Sequence, residues 1–475
     1  MQIEQFFLPG LGHQSYLVAD ETSGSAAVVD PRRDVELYLE AAGRAGVRIT
    51  HVLETHLHND YVTGARELAA RTGATIVSSA GAHLAYDYLP VQEGATLALG
   101  ALRFSILATP GHTPEHVSYL LHDPANAAPH ALFSGGSMLA AGVGRTDLLG
   151  EAETLTLTRQ QYASLCRLLE SLPDTVLVYP THGAGSFCGT SASVPERHTT
   201  VGAERLVNPA ATAADEAAFV RQQLAGYGEY PAYYAYMRAI NQGGPRVQGK
   251  APESVPLAPD AVRTRQAGGA AVVDGRSRDT FAAGHVPGAL SIELDEDFGT
   301  YTGWVLPFNA PLVLLLEDTA GRREAETQLF RIGWERVEGH MQGGMAGWEQ
   351  TGLPVARFKR ISVRDLHALW ERPDAPVVVD VRRRDEWREG HIPGALHLHV
   401  GDLPGRLGDV PDGRPVALIC ASGYRAQLAA SLLGAQGRTV LAVRGGVPTW
   451  QRAGFPIEAG DTLAAVPQVD EHGHA

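Results

Sequence analysis

The second half of the chain contains one sequence pattern twice. The first copy reads AVVDGR at 271–276 and GHVPGA at 284–289, and the second reads VVVDVR at 377–382 and GHIPGA at 390–395. In each copy an apolar strand pattern alternates with helix patterns, so each repeat of about 100 residues predicts one small α/β domain. A stretch rich in proline and glycine, 243–259, precedes the first copy and predicts a linker.

Length and composition set the broad class. A chain of 475 residues is too long for one core, and three domains are expected. An apolar content of 44% and a charged content of 19% are typical of globular domains. The net charge of −14 argues against general binding to nucleic acids or anionic membranes.

Neither a membrane-spanning segment nor a secretion signal is expected. The chain has no run of about 18 apolar residues, and its first residues, MQIEQFF, lack the basic and apolar parts of a signal peptide. The 3 cysteines lie far apart in sequence, which predicts neither a disulfide framework nor a zinc knuckle. A reducing cytoplasm fits these features.

The stretch THLHNDY at 55–61 concentrates side chains that bind metals. It follows a predicted strand, 49–53, and precedes a predicted helix, 64–71. Two further histidines, His112 and His182, follow the predicted strands 104–108 and 176–179. Side chains at successive strand ends converge on one edge of a sheet sandwich, so this arrangement predicts a metal site.

These motifs resemble the metallo-β-lactamase superfamily, and the predicted domain spans 1–245. The resemblance implies an αββα sandwich within the α/β class. Two further stretches, GRTDL at 144–148 and GAGSFCG at 183–189, resemble the branch that contains persulfide dioxygenases and glyoxalase-II-type thioesterases.

Two positions depart from the dinuclear hydrolases of this superfamily. Those enzymes carry a metal-binding histidine at the position of Tyr61 and a bridging aspartate at the position of Gly136. The absence of this histidine and this aspartate predicts that the site of this chain binds at most one metal ion. Persulfide dioxygenases bind one Fe(II) through two histidines and that same aspartate. The resemblance implies that His56 and His112 are the two histidines in this chain, where Gly136 takes the place of the aspartate.

A three-histidine face of His56, His58 and His112 is therefore the predicted ligand set. Fe(II) is the expected ion, with Zn(II) and an empty site as alternatives. Four other residues are predicted to lie in the pocket or behind the ligands: Asp60, Tyr61, His182 and Cys188.

A cysteine loop, CASGYR at 420–425, lies between a predicted strand and a predicted helix of the second repeat. The start of a helix stabilises an anion, which favours the thiolate of Cys420 as a nucleophile, and Arg425 adds a positive charge. Both repeats resemble the rhodanese family, in which this cysteine carries sulfane sulfur. Predicted bounds are 246–353 for the first domain, inactive because Glu317 stands in place of the cysteine, and 354–475 for the second.

The leading hypothesis is metal-dependent oxidation of a low-molecular-weight thiol persulfide to sulfite, coupled to sulfur transfer through Cys420 among persulfide, sulfite and thiosulfate. One alternative is a mononuclear zinc thioester hydrolase. Another is a sulfurtransferase or sulfur carrier whose metallo-β-lactamase domain has lost catalysis. The resemblance also implies that the chain can form a homo-oligomer.

Overall fold

A computed structural model describes residues 1–189 and 197–460. The chain forms two compact units. The first comprises 1–253, 296–309 and 323–335, and the second comprises 254–295, 310–322 and the residues from 336 on. Three segments of the predicted second domain, 246–253, 296–309 and 323–335, thus belong to the first unit. Within the described ranges, no helix combines the length and the apolar character needed to cross a lipid bilayer.

In the described residues before the first repeat, the strands are β1 (Gln2–Leu8), β2 (His13–Asp20), β3 (Ser25–Val29), β4 (Arg48–Leu53), β5 (Thr75–Ser79), β6 (Leu89–Val91), β7 (Thr96–Leu99), β8 (Leu102–Ala108), β9 (Val117–His122), β10 (Ala131–Gly135), β11 (Met138–Leu139), β12 (Gly142–Val143), β13 (Leu177–Pro180) and β14 (Thr199–Thr200). The described residues of this part also form the α-helices α1 (Glu36–Ala45), α2 (Ala65–Thr72), α3 (Glu151–Ser171), α4 (Val201–Val207), α5 (Pro209–Thr212), α6 (Glu216–Gly226) and α7 (Tyr234–Gly243).

Two six-stranded sheets form the centre of this part of the chain. The first has the order β1-β2-β3-β4-β5-β6 and the second the order β14-β13-β10-β9-β8-β7. Side chains that alternate along the strands, including Tyr16, Phe104, Tyr119 and Phe133, form one buried cluster of both sheets. The opposite faces bury separate clusters with α1 and α2 and with α3. These layers confirm the predicted αββα sandwich.

The first repeat contains β15 (Pro256–Leu257), β16 (Ala271–Asp274), β17 (Leu290–Ser291), β18 (Leu312–Leu315) and β19 (Val337–Met341), with α8 (Pro259–Ala267), α9 (Arg278–Ala283), α10 (Phe298–Val305), α11 (Thr319–Arg331) and α12 (Gly344–Gln350). The second contains β20 (Lys359–Ser362), β21 (Val377–Asp380), β22 (Leu396–His397), β23 (Val416–Ile419) and β24 (Val440–Arg444), with α13 (Val363–Trp370), α14 (Arg384–Glu389), α15 (Tyr424–Ala435) and α16 (Gly446–Arg452).

The two repeats share one topology. Their five-stranded sheets have the orders β15-β19-β18-β16-β17 and β20-β24-β23-β21-β22, with parallel pairing between neighbours. In both, the fourth strand of this order, β16 or β21, ends in an aspartate that binds the arginine two residues later. The Nη2–Oδ2 distance is 2.6 Å for Arg276 with Asp274 and 2.6 Å for Arg382 with Asp380. Because both pairs are buried and each aspartate also accepts from the backbone N–H of its arginine, they stabilise the turn that follows the strand.

Strand register corrects one detail of the sequence comparison. Asp274 pairs with Leu315 in the first repeat, and Asp380 pairs with Ile419 in the second. The next residue is Leu316 in one repeat and Cys420 in the other, so Leu316 rather than Glu317 is the counterpart of the cysteine. The predicted position was wrong by one residue because the first loop is shorter: α11 begins at Thr319, whereas α15 begins at Tyr424.

Candidate metal site and cysteine loop

Three histidines from separate loops meet at one edge of the sandwich. His56 follows β4, His112 lies between β8 and β9, and His182 follows β13. All three are buried, and their nearest ring nitrogens lie within 4.8 Å of one another. The sequence-predicted convergence of strand ends is therefore present, and His182, which was predicted only as a pocket residue, belongs to this group.

Hydrogen bonds indicate which nitrogen of His56 is available. The Thr55 hydroxyl lies 2.7 Å from Asp30 Oδ2 and 2.8 Å from His56 Nδ1. Because the carboxylate only accepts, the hydroxyl donates to Asp30 and accepts from Nδ1–H. This leaves the lone pair of His56 on Nε2. Burial, followed by the neighbouring histidines, holds the pKa of His56 well below its usual range, so the ring is neutral.

The other two rings are oriented in the same way. His112 Nδ1 donates to the carbonyl of Arg145 at 2.7 Å, and His182 Nδ1 lies 3.2 Å from Asp60 Oδ2. His182 Nε2 is 3.4 Å from His56 Nε2, and His112 Nε2 is buried without a hydrogen-bond partner among the described residues. Three Nε2 atoms that meet in this way, with carboxylates and carbonyls behind the rings, are the arrangement that a metal ion requires, so the cluster fits a metal site.

His58 faces a different set of groups. Its Nε2 lies 3.3 Å from Asp30 Oδ1 and 3.5 Å from Glu54 Oε2. Burial disfavours its charge, but Asp30 and then Glu54 outweigh that effect and raise the pKa of His58 to about 10. His58 also takes part in two overlapping groups of potential ligands, one with Asp30 and His56 and one with Asp60 and His182.

Asp30 lies closest to the histidines among the residues that sequence analysis missed. Its carboxylate accepts from the backbone N–H of Thr55 at 2.7 Å and from the hydroxyls of Thr55 and Thr181. Its φ of +48° is unusual for a residue other than glycine. In this conformation its carboxylate also lies 3.3 Å from Nε2 of His58. The available signal was a carboxylate directly after β3 and before Pro31, at the same sheet edge as His56.

The two departures from the hydrolase pattern have clear structural counterparts. The Tyr61 hydroxyl donates to the carbonyl of Asp30 at 3.2 Å, and its ring packs against His13 and His58. A Cβ atom at Gly136 would lie only 2.2 Å from Cδ2 of His112. The His112 ring therefore occupies the space that a side chain at position 136 would need.

Cys188 lies beside Asp60 and Tyr234. Burial, followed by the negative charge of Asp60, raises the pKa of the Cys188 thiol well above its usual range. The carboxyl of Asp60 is itself buried, and His182 is the leading group that lowers its pKa to about 2 against the opposing effect of burial. Cys188 is thus a protonated thiol next to the carboxylate that orients His182.

Supporting contacts hold the loop that carries His56 and His58. The Asn241 amide, on α7, donates to the carbonyls of His58 and Tyr61 at 2.9 Å each. Tyr233 donates to the carbonyl of Asp60 at 2.8 Å, and Glu115 accepts from the N–H of Leu57 at 3.0 Å. Sequence reasoning gave no site role to Tyr233, Glu115 or Asn241, because they are distant in sequence from the loop that they hold.

The cysteine loop is built from one short segment. Cys420 follows β23 and is fully buried, and the N–H of Gly423 points to its Sγ at 3.0 Å. Gly423 has a φ of +95°, which turns the chain into α15. A backbone donor beside a sulfur at a helix start is an arrangement that can stabilise an anionic sulfur, and the nucleophilic role of Cys420 stays a prediction.

Arg425 forms a two-pronged ion pair with Glu386. Its Nη1 and Nη2 lie 2.6 and 2.8 Å from the two carboxylate oxygens. Burial opposes ionisation of Glu386, but Arg425 dominates and lowers the pKa of the carboxyl to about 2. The charge of Arg425 is therefore balanced by a carboxylate of α14.

Family models match three parts of the chain. Residues 8–182 match the metallo-beta-lactamase superfamily, and residues 258–351 and 362–453 each match the rhodanese-like domain. The solved metallo-beta-lactamase from Staphylococcus aureus subsp. aureus COL has a TM-score of 0.64 and 28% identity, covering 72% of this chain and 98% of that one. This similarity supports the fold described above.

Two relatives of known activity are similar to the first part of the chain. The mitochondrial persulfide dioxygenase ETHE1 of Bos taurus is 32% identical over 219 residues, 44% of this chain and 76% of that protein. The hydroxyacylglutathione hydrolase of Methylococcus capsulatus is 38% identical over 169 residues, 35% of this chain and 60% of that protein. Homology to ETHE1 together with rhodanese-like domains supports a role in sulfur metabolism. The chain belongs to the metallo-β-lactamase superfamily, with ETHE1 persulfide dioxygenases among its homologues, and carries two rhodanese-like domains after its metallo-β-lactamase domain.

Proposed function

We propose that the chain oxidises a low-molecular-weight thiol persulfide to sulfite at one metal ion and moves sulfane sulfur through Cys420. The observation that carries the metal half is the meeting of three buried Nε2 atoms, on His56, His112 and His182. Nδ1 is hydrogen-bonded in the first two rings and lies 3.2 Å from Asp60 Oδ2 in the third. The relationship to ETHE1 persulfide dioxygenases supports the reaction.

Geometry favours His182 over His58 as the third ligand. His182 Nε2 lies 3.4 Å from His56 Nε2, whereas His58 Nε2 is directed to Asp30 and Glu54. The sequence-predicted set of His56, His58 and His112 stays a prediction, and variants at His58 and His182 distinguish the two sets. In either set, imidazole suits both Fe(II) and Zn(II).

Fe(II) is the ion that we propose, because it supplies the redox chemistry with dioxygen that persulfide oxidation needs. The overall reaction balances as RSSH + O₂ + H₂O → RSH + H₂SO₃. The chain's own part is to exclude water and to orient the ligands. Asp30, through Thr55, and Asp60 fix the tautomers of His56 and His182.

At the second site, the Cys420 thiolate attacks the sulfane sulfur of a donor. With thiosulfate, the S–S bond breaks, its electron pair leaves with sulfite, and Cys420 becomes a persulfide. The N–H of Gly423 stabilises the anionic sulfur, and transfer to an acceptor returns the thiolate. In the opposite direction, transfer from the Cys420 persulfide to sulfite forms thiosulfate and returns the thiolate, so Cys420 would use the sulfite that the metal site makes. One chain that carries both sites keeps that sulfite at a high effective concentration. A reducing compartment, which we take to be the cytoplasm, would keep the thiol active.

Metal analysis combined with oxygen uptake tests the proposal. Protein purified without added metal should contain about one iron per chain, and a glutathione persulfide should trigger oxygen uptake with equal formation of sulfite. His112→Ala should remove both iron and uptake. Protein that takes up no oxygen after reconstitution with Fe(II) would contradict the oxidative half. Sulfur transfer by Cys420 would then be the activity of the chain.

A zinc thioester hydrolase is the second candidate, favoured by the similarity to hydroxyacylglutathione hydrolase. Zinc in place of iron, turnover of a glutathione thioester and no persulfide oxidation would select this function. Gly136 weighs against a two-metal version, because the ring of His112 fills the position of the missing carboxylate.

A further inference from the structure

Two segments of the first repeat belong to the same compact unit as the histidine cluster. They are 296–309, which contains α10, and 323–335, which contains the later part of α11. The strands of the same repeat, β15 to β19, belong to the second unit. The repeat without a cysteine thus contributes two segments to the unit that holds the candidate metal site.

The end of α11 contacts the loop that carries Asp60. The carbonyl of Arg331 accepts from the N–H of Val62 at 2.8 Å. Val62 lies two residues after Asp60, the carboxylate behind His182. A Cβ atom at Gly333 would lie only 2.9 Å from Cγ2 of Val62, so the two segments also pack closely. This contact fixes the chain directly after Asp60.

Two buried arginines hold this contact in place. Nε and Nη2 of Arg331 lie 2.9 and 2.8 Å from the two carboxylate oxygens of Asp34. In the opposite direction, Arg33 donates to the carbonyl of Phe330 at 3.2 Å, and its guanidinium lies 4.1 Å from the centre of the Phe330 ring. Because both arginines are buried, neither can move without leaving a charge unpaired. Arg33 and Asp34 lie three and four residues after Asp30, which belongs to the histidine cluster.

Helix α10 supports Asp60 from a second side. A Cβ atom at Gly303 would lie 2.5 Å from Cδ1 of Tyr233, so only glycine allows this approach of the helix to the ring. The hydroxyl of Tyr233 donates to the carbonyl of Asp60 at 2.8 Å. Tyr233 is fully buried in a close-packed region, so its ring has no room to move away. The α10 backbone therefore sets the position of the ring that holds Asp60.

The same helix contacts the segment that supports the His182 loop. Thr300 Oγ1 donates to the carbonyl of Gly10 at 3.1 Å. Two residues further on, the carbonyl of Gly12 accepts from the N–H of Gly183 at 2.7 Å. Gly183 directly follows His182. Residues 10–12 therefore connect α10 to the backbone of this histidine.

A further series of contacts leads from α10 to His112. Trp304 is buried and packs edge-on against Phe187, with the ring centres 4.9 Å apart. The carbonyl of Phe187 accepts from Nη1 of Arg145 at 3.1 Å. The carbonyl of Arg145 in turn accepts from Nδ1 of His112 at 2.7 Å. The supports of His112 and of His182 thus both contact α10 or its neighbours.

We propose that segments 296–309 and 323–335 are a positioning element of the metal site, so that the repeat without a cysteine serves the oxidative site rather than sulfur transfer. These segments act on the ligands through Val62, Tyr233 and Phe187. The inference rests on the proposed metal site and assigns it a support from outside the metallo-β-lactamase family match, 8–182. Loss of a contact behind a ligand typically lowers metal affinity about 10- to 100-fold, so a change in these segments should reach the metal.

Binding of Co(II) to the full chain tests this role without turnover, because its visible spectrum reports the geometry of its ligands. Gly303→Ala pushes on Tyr233, and Arg331→Gln removes both bonds to Asp34. Each variant should weaken Co(II) binding about tenfold in chelator competition and shift the visible band. Arg331→Lys keeps the charge and should recover part of the loss.

Matched controls come from positions without these contacts. Gly43→Ala lies in α1, where a Cβ atom meets nothing within 4 Å, and Arg263→Gln changes an exposed arginine of α8. Both should leave the affinity and the spectrum of Co(II) unchanged. Full affinity and an unchanged spectrum in Gly303→Ala and Arg331→Gln would overturn the positioning role.

Sulfur transfer from thiosulfate to cyanide separates positioning from a general loss of structure. Since the contacts lie in the first unit and Cys420 in the second, Gly303→Ala and Arg331→Gln should keep the kcat and KM of this transfer. An equal loss of transfer and of Co(II) binding would overturn the proposal, because the variants would then disturb the whole chain.

The parent chain distinguishes this inference from the proposed oxidation. A parent chain that binds no Co(II) would overturn both. A parent chain that binds Co(II) but takes up no oxygen with Fe(II) and a glutathione persulfide would reject the oxidation alone, and weaker Co(II) binding in the two variants would then still support the positioning element.

Discussion

The histidine cluster and the cysteine loop hold their reactive atoms by different means. His56, His112 and His182 come from three loops and are oriented by side chains and carbonyls behind them. Cys420 is oriented by its own loop, through the N–H of Gly423. The first site therefore depends on the assembly of the whole sandwich, whereas the second depends on the length and shape of one strand-to-helix turn.

The largest expected effect separates the two sites. Cys420→Ala should lower sulfur transfer from thiosulfate at least about a thousandfold, because no other group replaces the nucleophile. Metal content should stay the same. Persulfide formation is measured as a gain of one sulfur by mass spectrometry. Residual transfer with the added sulfur found on Cys166 or Cys188 would show a second sulfur carrier. Cys420 would then not be the group on which all sulfur transfer depends.

Paired variants at His182 and His58 sharpen the description of the cluster. His182→Ala should reduce bound metal to a small fraction of one per chain, because it removes an Nε2 donor next to His56. His58→Ala should keep the metal and lower the free energy of unfolding, because it leaves Asp30 and Glu54 without their shared partner. Metal loss in His58→Ala with retention in His182→Ala would instead support the ligand set predicted from sequence.

The support behind His56 should have a smaller effect. Thr55→Val removes the hydroxyl that links His56 Nδ1 to Asp30 while keeping the shape of the side chain. Metal affinity should fall about 10- to 100-fold, the usual range for a lost contact behind a ligand. Thr109→Val breaks a similar contact to His116 Nδ1 and serves as the control, with affinity measured by chelator competition.

Acid should weaken the cysteine loop through Glu386. The pKa of this carboxyl is lowered from 4.5 to about 2, so it stabilises the fold above its unfolded pKa, and that stability is lost as the pH falls from about 4.5 towards 2. The contribution amounts to up to about 3 kcal/mol. Urea unfolding at pH 6 and pH 3 should therefore differ less for Glu386→Gln than for the parent chain, and Glu389→Gln, an exposed neighbour, should match the parent.

The smallest expected effect concerns the first repeat. Leu316→Cys places a thiol at the position that matches Cys420, but the shorter loop brings α11 one residue closer to the strand. We expect no measurable sulfur transfer from this change in a Cys420→Ala background. Recovery of transfer would show that the residue alone, and not the loop, separates the two repeats.

The sequence was most informative about the site whose residues are neighbours in the chain. The loop at 420–425 could be recognised because its cysteine, turn and helix start lie within six residues. The cluster was predictable only in part, because strand ends indicate where histidines converge but not which nitrogen each ring presents. Asp30 and His182 acquire their roles through contacts across 25 and 126 residues, which no local pattern reports.

The match between the two repeats was also predictable only in part, because strand register cannot be obtained from motifs alone. Aligning the repeats by their motifs placed Glu317 opposite Cys420, and only the pairing of Asp274 with Leu315 moved the match to Leu316. Loop length is decided by where the helix begins, and the strand pattern does not contain that information.

Sulfite formation from a glutathione persulfide in two single variants tests the central claim most directly. If the chain has an oxidative metal site separate from its sulfur-carrying cysteine, iron-loaded Cys420→Ser should form sulfite at nearly the parent rate, and His112→Ala should form none while still transferring sulfur from thiosulfate. Sulfite formation that is lost in Cys420→Ser or unchanged in His112→Ala would contradict this division of labour.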